Sequence, residues 1–143
     1  MESAVLGLVL DSSVAITAER KNFRVLQLIE AILDVYGDVE ISLSPVTVAE
    51  LVHGVYRART TEVQERRRQY VEELVNLLPV HPATAGTAWI AGQIDGQESA
   101  KGNVIPFSDI LIAAAALEQG YAVLTRDLRH FERIPGLNVC SMS

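Results

Sequence analysis

Short apolar runs alternate along this chain with longer stretches in which apolar residues recur every three or four positions. Residues 5–10 (VLGLVL) form a run stopped by Asp11, the pattern of a buried parallel strand. Residues 39–43 and 121–124 read the same way, residues 137–141 as a last strand, and residues 80–81 as a minimal one. Residues 22–36 place Val25, Leu28, Ile29, Ile32, Leu33 and Tyr36 at helical spacing, with Gly37 as the stop. Residues 47–57 and 61–78 repeat that spacing. Ser44-Pro45 breaks the second strand and opens the first of these helices, where a proline's missing N–H costs nothing. Pro79 closes the second. Residues 82–98 predict a helix with Trp89, Ile90 and Ile94 turned inward, weakened by Gly86 and Gly92. Residues 96–104 (GQESAKGNV) read as a polar, glycine-bearing loop, and a further apolar helix opens near Asp109.

This alternation predicts an α/β fold: a mostly parallel sheet with helices on both faces. Right-handed crossovers then bring the carboxyl ends of all parallel strands to one edge, where open α/β sheets place their chemistry. Four acids are delivered there from separate segments. Asp11 follows the first strand, Glu50 lies early in the helix after the second, Asp109 starts an apolar helix, and Asp127 follows the third strand. Two unit charges about 4 Å apart repel by roughly 4 kcal/mol at an effective dielectric near 20. Such a cluster needs either a held proton or a divalent cation. An all-oxygen donor set, without a Cys or His pair, favours Mg²⁺ or Mn²⁺ over Zn²⁺. Taken singly, Asp109 suits a helix start, Ser108 an N-cap, Asp127 a turn and Glu50 a solvated helix face. Asp11 is the hardest to dismiss, because a charge ending a buried strand needs a partner. The joint pattern points to a site.

Composition narrows the classes. The 143 residues suit one domain, residues 1–143, and 49% are hydrophobic, enough for a real core. No apolar run approaches the ~20 residues of a membrane span. The run at residues 5–10 is too short for a signal-peptide core and follows Glu2 rather than basic residues. The single cysteine, Cys140, excludes an internal disulfide and fits a reducing compartment, so a cytoplasmic protein is expected. A net charge of −6 argues mildly against nucleic acid, but the average conceals contrast. Arg57, Arg59, Arg66, Arg67 and Arg68 share one stretch, and Arg126, Arg129 and Arg133 surround Asp127. Arginine runs on helices are usually solvated faces; Arg66, Arg67, Arg126 and Arg129 are nevertheless the candidates for nucleic-acid contact. His53, His81 and His130 show no ligand spacing. Trp89 reads as core, and Gly7 within the first strand as a packing residue.

Four pieces of the chain, in order, resemble the PIN-domain family, and within it the VapC toxins of prokaryotic type II toxin–antitoxin pairs: LVLDSSVAI (8–16), SPVTVAEL (44–51), FSDILIAAAALEQG (107–120) and VLTRDLRHFERIPGLNV (123–139). The resemblance implies a three-layer α/β/α fold and a metal-dependent endoribonuclease acting on structured RNA linked to translation. By the same resemblance, Asp11, Glu50 and Asp109 occupy the three most characteristic acidic positions and Asp127 the fourth. Thr125 matches a hydroxyl residue that supports the acidic cluster, and His130-Phe131 matches a pair taken as mainly structural. It further implies a VapB-like antitoxin covering the cleft and a homodimer, with exposed apolar positions on the early helices as its face.

On that reading Asp11 and Asp109 hold Mg²⁺ or Mn²⁺ directly, and Glu50 is a ligand or a water-orienting base. Asp127 is a second ligand or supports one, and Thr125 fixes the direction of a carboxylate or water. A haloacid-dehalogenase-type phosphatase wants a second Asp where Ser13 stands. A receiver domain wants an acidic pair after the first strand and a late lysine, whereas the only lysines are Lys21 and Lys101. The alternative from another class is a non-catalytic PIN-like binding module, against which four intact acids argue.

Overall fold

The strand expected at residues 5–10 forms as β1 (Gly7–Leu10) and lies inside a four-stranded sheet. In the computed structural model, which describes residues 5–142, the strand order is β2-β1-β3-β4. Here β2 is Glu40–Leu43, β3 is Ala122–Thr125 and β4 is Val139–Ser141, and every pairing is parallel. Residues 80–81 contribute only one parallel bridge, Val80 to Leu43. Six helices connect the strands: α1 (Ser12–Arg20), α2 (Val25–Tyr36), α3 (Pro45–Tyr56), α4 (Thr61–Leu77), α5 (Ala85–Ala100) and α6 (Phe107–Gln119). Among the described residues no helix is long and apolar enough to cross a membrane.

Successive strand residues point to opposite faces, and the two faces have different covers. Leu8, Leu10, Ile41, Leu43 and Leu124 pack with Val14, Leu28, Ile32, Leu51 and Leu74, drawn from α1 to α4. Val9 and Val123 face the other way, onto Ile94 of α5, Ile110 and Ile112 of α6, and Phe131. The fold is therefore three-layered, helices over both faces of an all-parallel sheet. Burying each such Leu, Ile or Phe contributes roughly 1.5–3 kcal/mol, which is why the strands are apolar on both sides.

Local residues set the ends of these elements. The Ser44 hydroxyl accepts from Val46 N at 3.1 Å and Pro45 takes the first helical position of α3. Gly120, at φ 70°, ends α6 in the left-handed region and turns the chain directly into β3. Gly7 is a packing residue, as expected: a Cβ there would lie 2.6 Å from the Tyr121 ring.

Two expectations are corrected. Residues 96–104 are not all loop, because α5 continues to Ala100. Glu98, only 3% exposed, anchors that last turn: its carbonyl accepts from Asn103 N at 2.9 Å and its carboxylate from the Asn103 amide at 3.0 Å. Trp89 is not core but 78% exposed. The inward row of α5 is Thr87, Ala91, Ile94 and Glu98, small or polar enough to lie against the alanine-rich α6, and Trp89 falls on the opposite side.

Candidate metal and nuclease site

The register of the sheet makes the site. Leu10 is level with both Leu43 and Leu124, so the residues after them emerge together at one edge. Asp11 N donates to Leu124 O at 2.9 Å, fixing Asp11 beside the end of β3. Asp11 stands at the N-cap position of α1, yet its carboxylate does not cap the helix. Instead its Oδ2 accepts from the Thr125 hydroxyl and from the Ser13 hydroxyl, each at 2.8 Å. Thr125, 0% exposed, in turn accepts from Asp127 N at 3.0 Å, while Ser13 Oγ accepts from Arg126 N at 3.1 Å. One buried hydroxyl thus ties Asp11 to the loop that carries Asp127.

Glu50 and Asp109 arrive on helices. The buried Thr47 hydroxyl donates to Leu10 O at 2.9 Å, pinning α3 to the end of β1 one turn before Glu50. Asp109 lies in the first turn of α6 and is 8% exposed, as is Asp11. Burial pushes the Asp109 pKa up, and the charges of Asp11 and Asp127 add to this while His130 opposes it. Loss of surrounding water likewise pushes Glu50 up, with Asp11 and Asp109 adding and the Ser12 hydroxyl opposing. Asp127 is held below the ordinary carboxylate range, chiefly by its hydrogen bonds from Arg129 and then by the Arg129 and His130 charges. Asp109 feels the charges of Asp11 and Asp127, and Glu50 those of Asp11 and Asp109.

His130 was missed by sequence reasoning. Its Nδ1 stands 3.0 Å from Asp109 Oδ2 and its Nε2 3.2 Å from Asp127 Oδ2, so the imidazole lies between two of the acids. Asp109 Oδ2 is buried, and the His130 imidazole is the group that stands against it. Phe131 beside it is fully buried and structural. Among the described residues no three His, Cys, Asp or Glu side chains form a ready-made metal cage. The carboxylates at this edge nonetheless offer hard oxygen donors, the chemistry that a small divalent cation prefers.

The candidate RNA-contacting arginines are mostly engaged. Arg66 and Arg67 approach Glu19 Oε1 at 3.9 and 3.5 Å, and Arg67 also donates to Gly54 O at 3.0 Å. Arg129 Nε is 3.2 Å from Asp127 Oδ1, and the Arg126 guanidinium donates to Met142 O at 3.3 Å.

Residues 8–137 match the PIN domain. The chain belongs to the PIN-domain family. Ribonuclease VapC1 of Rickettsia felis is 29% identical over 138 residues, covering 96% of this chain and 98% of its own. The tRNA(fMet)-specific endonuclease VapC of Salmonella typhimurium is 34% identical over 97 residues, 68% of this chain and 71% of its own. The solved DNA-bound VapBC of Salmonella typhimurium superimposes with a TM-score of 0.80 at 27% identity, covering 95% of this PIN domain's chain and 98% of that one.

Proposed function

We propose that this PIN domain is a VapC-like toxin: a Mg²⁺- or Mn²⁺-dependent endoribonuclease restrained by a VapB-like antitoxin. The observation that carries the reading is the Asp109 carboxylate, buried at the sheet edge within electrostatic reach of Asp11, Glu50 and Asp127 and faced by the His130 imidazole. Asp11, Asp109, Glu50 and Asp127 would hold the cation, which supplies a water of lowered pKa and stabilises charge on the phosphate. Thr125 and Ser13 hold the Asp11 carboxylate in one orientation, as partners of a ligand do. Glu50 is exposed and its pKa is raised, which suits it to take a proton from the attacking water. The antitoxin is proposed because the solved Salmonella relative is a VapBC complex. The homodimer belongs to the same proposal, with Leu26 and Val35 of α2 as exposed apolar positions.

The named substrate of the Salmonella relative makes initiator tRNA the first RNA to assay, alongside bulk tRNA. Wild type is expected to cleave RNA with Mg²⁺ or Mn²⁺ and not with EDTA. Asp109→Asn is expected to lose at least about 100-fold in rate while remaining folded. A nuclease-free preparation of that variant cutting at the wild-type rate would refute the proposal.

A further inference from the structure

A groove of about 590 Å³ opens beside the acids, between α1 and α3. Its inner end is Ser12 and Glu50, next to Asp11, and its outer end carries Arg20 and Arg57. The two walls are helical rows: Ser12, Ile16 and Arg20 on α1, and Glu50 and His53 on α3 with Arg57 at its C-cap. At 1.5 Å per residue, Arg57 lies about 10 Å along the helix axis from Glu50, and Arg20 about 12 Å from Ser12. Gly54 on the α3 wall leaves the space open, for a Cβ there would meet nothing within 4 Å.

The charges along the groove differ in kind. Arg67 also lines it, but its guanidinium is held by Glu19 and by Gly54 O. Arg20 and Arg57 are exposed, and among the described residues neither side chain has an ion-pair or hydrogen-bond partner. Two unengaged guanidiniums therefore stand at the far end of a channel whose near end is the acid cluster. Ile16 is the one large apolar side chain on its walls. That is a poor seat for a protein segment, which anchors through apolar and aromatic side chains, and a good one for a polyanion.

We propose that this groove carries the RNA strand flanking the scissile phosphodiester, with Arg20 and Arg57 as its phosphate-binding cations. The proposal rests on the nuclease reading, since the acid cluster defines where the scissile phosphate lies. Arg66, Arg126 and Arg129 are then not the main contacts.

The test measures binding of bulk tRNA to the full chain in an Asp109→Asn background, and cleavage of the same RNA in the wild-type background. Each is made with and without Arg20→Ala plus Arg57→Ala. The pair is expected to weaken binding about tenfold and to lower the slope of log K against log salt by about 1.4, or 0.7 per phosphate contact on single-stranded RNA. KM rises correspondingly, Arg20→Lys plus Arg57→Lys restores most of the affinity, and Arg68→Ala, on α4 outside the groove, changes neither. Unchanged RNA affinity and salt slope overturn the proposal. So does a variant that loses only its affinity for an antitoxin, which would make the groove a protein seat. If the protein binds RNA with the expected salt response but never cleaves it, the nuclease reading fails and takes with it the placement beside a scissile phosphate, while loss of affinity in the Arg20/Arg57 pair still assigns RNA to the groove. If the parent binds no RNA, both fail.

Discussion

Thr125→Val isolates the hydroxyl that joins Asp11 to the Asp127 loop. Valine keeps the shape of a side chain that is 0% exposed and removes one oxygen. Asp11 Oδ2 loses a 2.8 Å donor and keeps only Ser13, and Asp127 N loses its 3.0 Å acceptor. A hydrogen bond to a charged group contributes about 1.5–3 kcal/mol, and a stranded partner adds to the loss. Asp127 N lies near the surface, where water can replace the acceptor, so the expected total is about 2–3 kcal/mol. For a chain of this length that corresponds to a fall in Tm of roughly 6–12 °C. Urea unfolding of metal-free protein at neutral pH measures it. Thr125→Ser, which keeps the hydroxyl and loses a methyl group, should fall by about 1 kcal/mol. If Thr125→Val unfolds within about 0.5 kcal/mol of wild type, the hydroxyl is not the tie described here.

Two further predictions concern groups that burial has left in unfavourable states. Tyr70 is buried, its hydroxyl has no hydrogen-bond partner, and burial, then Glu19 and Glu73, push its pKa up to about 12. Tyr70→Phe should therefore be neutral or slightly stabilising in urea, and a loss above about 1 kcal/mol would show that the hydroxyl has a partner. Asp109 and Glu50 have folded pKa values raised above 3.8 and 4.5, so their contribution to stability is full below those values and is lost as pH rises through the folded ones. Without metal, Asp109→Asn and Glu50→Gln should thus unfold at higher urea than wild type at pH 7. The advantage should shrink as pH falls toward the ordinary carboxyl values, and variants less stable than wild type at pH 7 would contradict the assigned strain.

Features that depend on local pattern were legible in the sequence, and those that depend on which surfaces meet were not. Asp11 is readable because a charge stops a run buried on both sheet faces, and the register then carries it to Thr125. Pro45 and Gly120 mark their helix ends by backbone chemistry alone. Trp89 misleads because apolar spacing assumes that large residues point inward. The packing of α5 on a helix of alanines selects a row of small residues instead. Residues 96–104 mislead because glycine, serine and lysine read as loop, while the helix is extended by Glu98, which is buried and hydrogen-bonded by Lys101 and Asn103 just downstream. The arginine clusters show where positive charge lies in the chain but not that Glu19, far back on α1, engages Arg66 and Arg67. His130 pairs locally with Asp127, three residues before it, but its approach to Asp109 joins the turn after β3 to α6 and leaves no trace in the spacing.

The acidic edge is a cation site or it is not, and calorimetric titration of the metal-free protein with Mn²⁺ decides this without any choice of RNA. The wild type should bind with a measurable heat, and Asp11→Asn and Asp109→Asn should each lose most of that affinity while keeping a cooperative unfolding transition. Wild-type protein that takes up no Mn²⁺ at millimolar concentration, or variants that take it up equally well, would contradict the account.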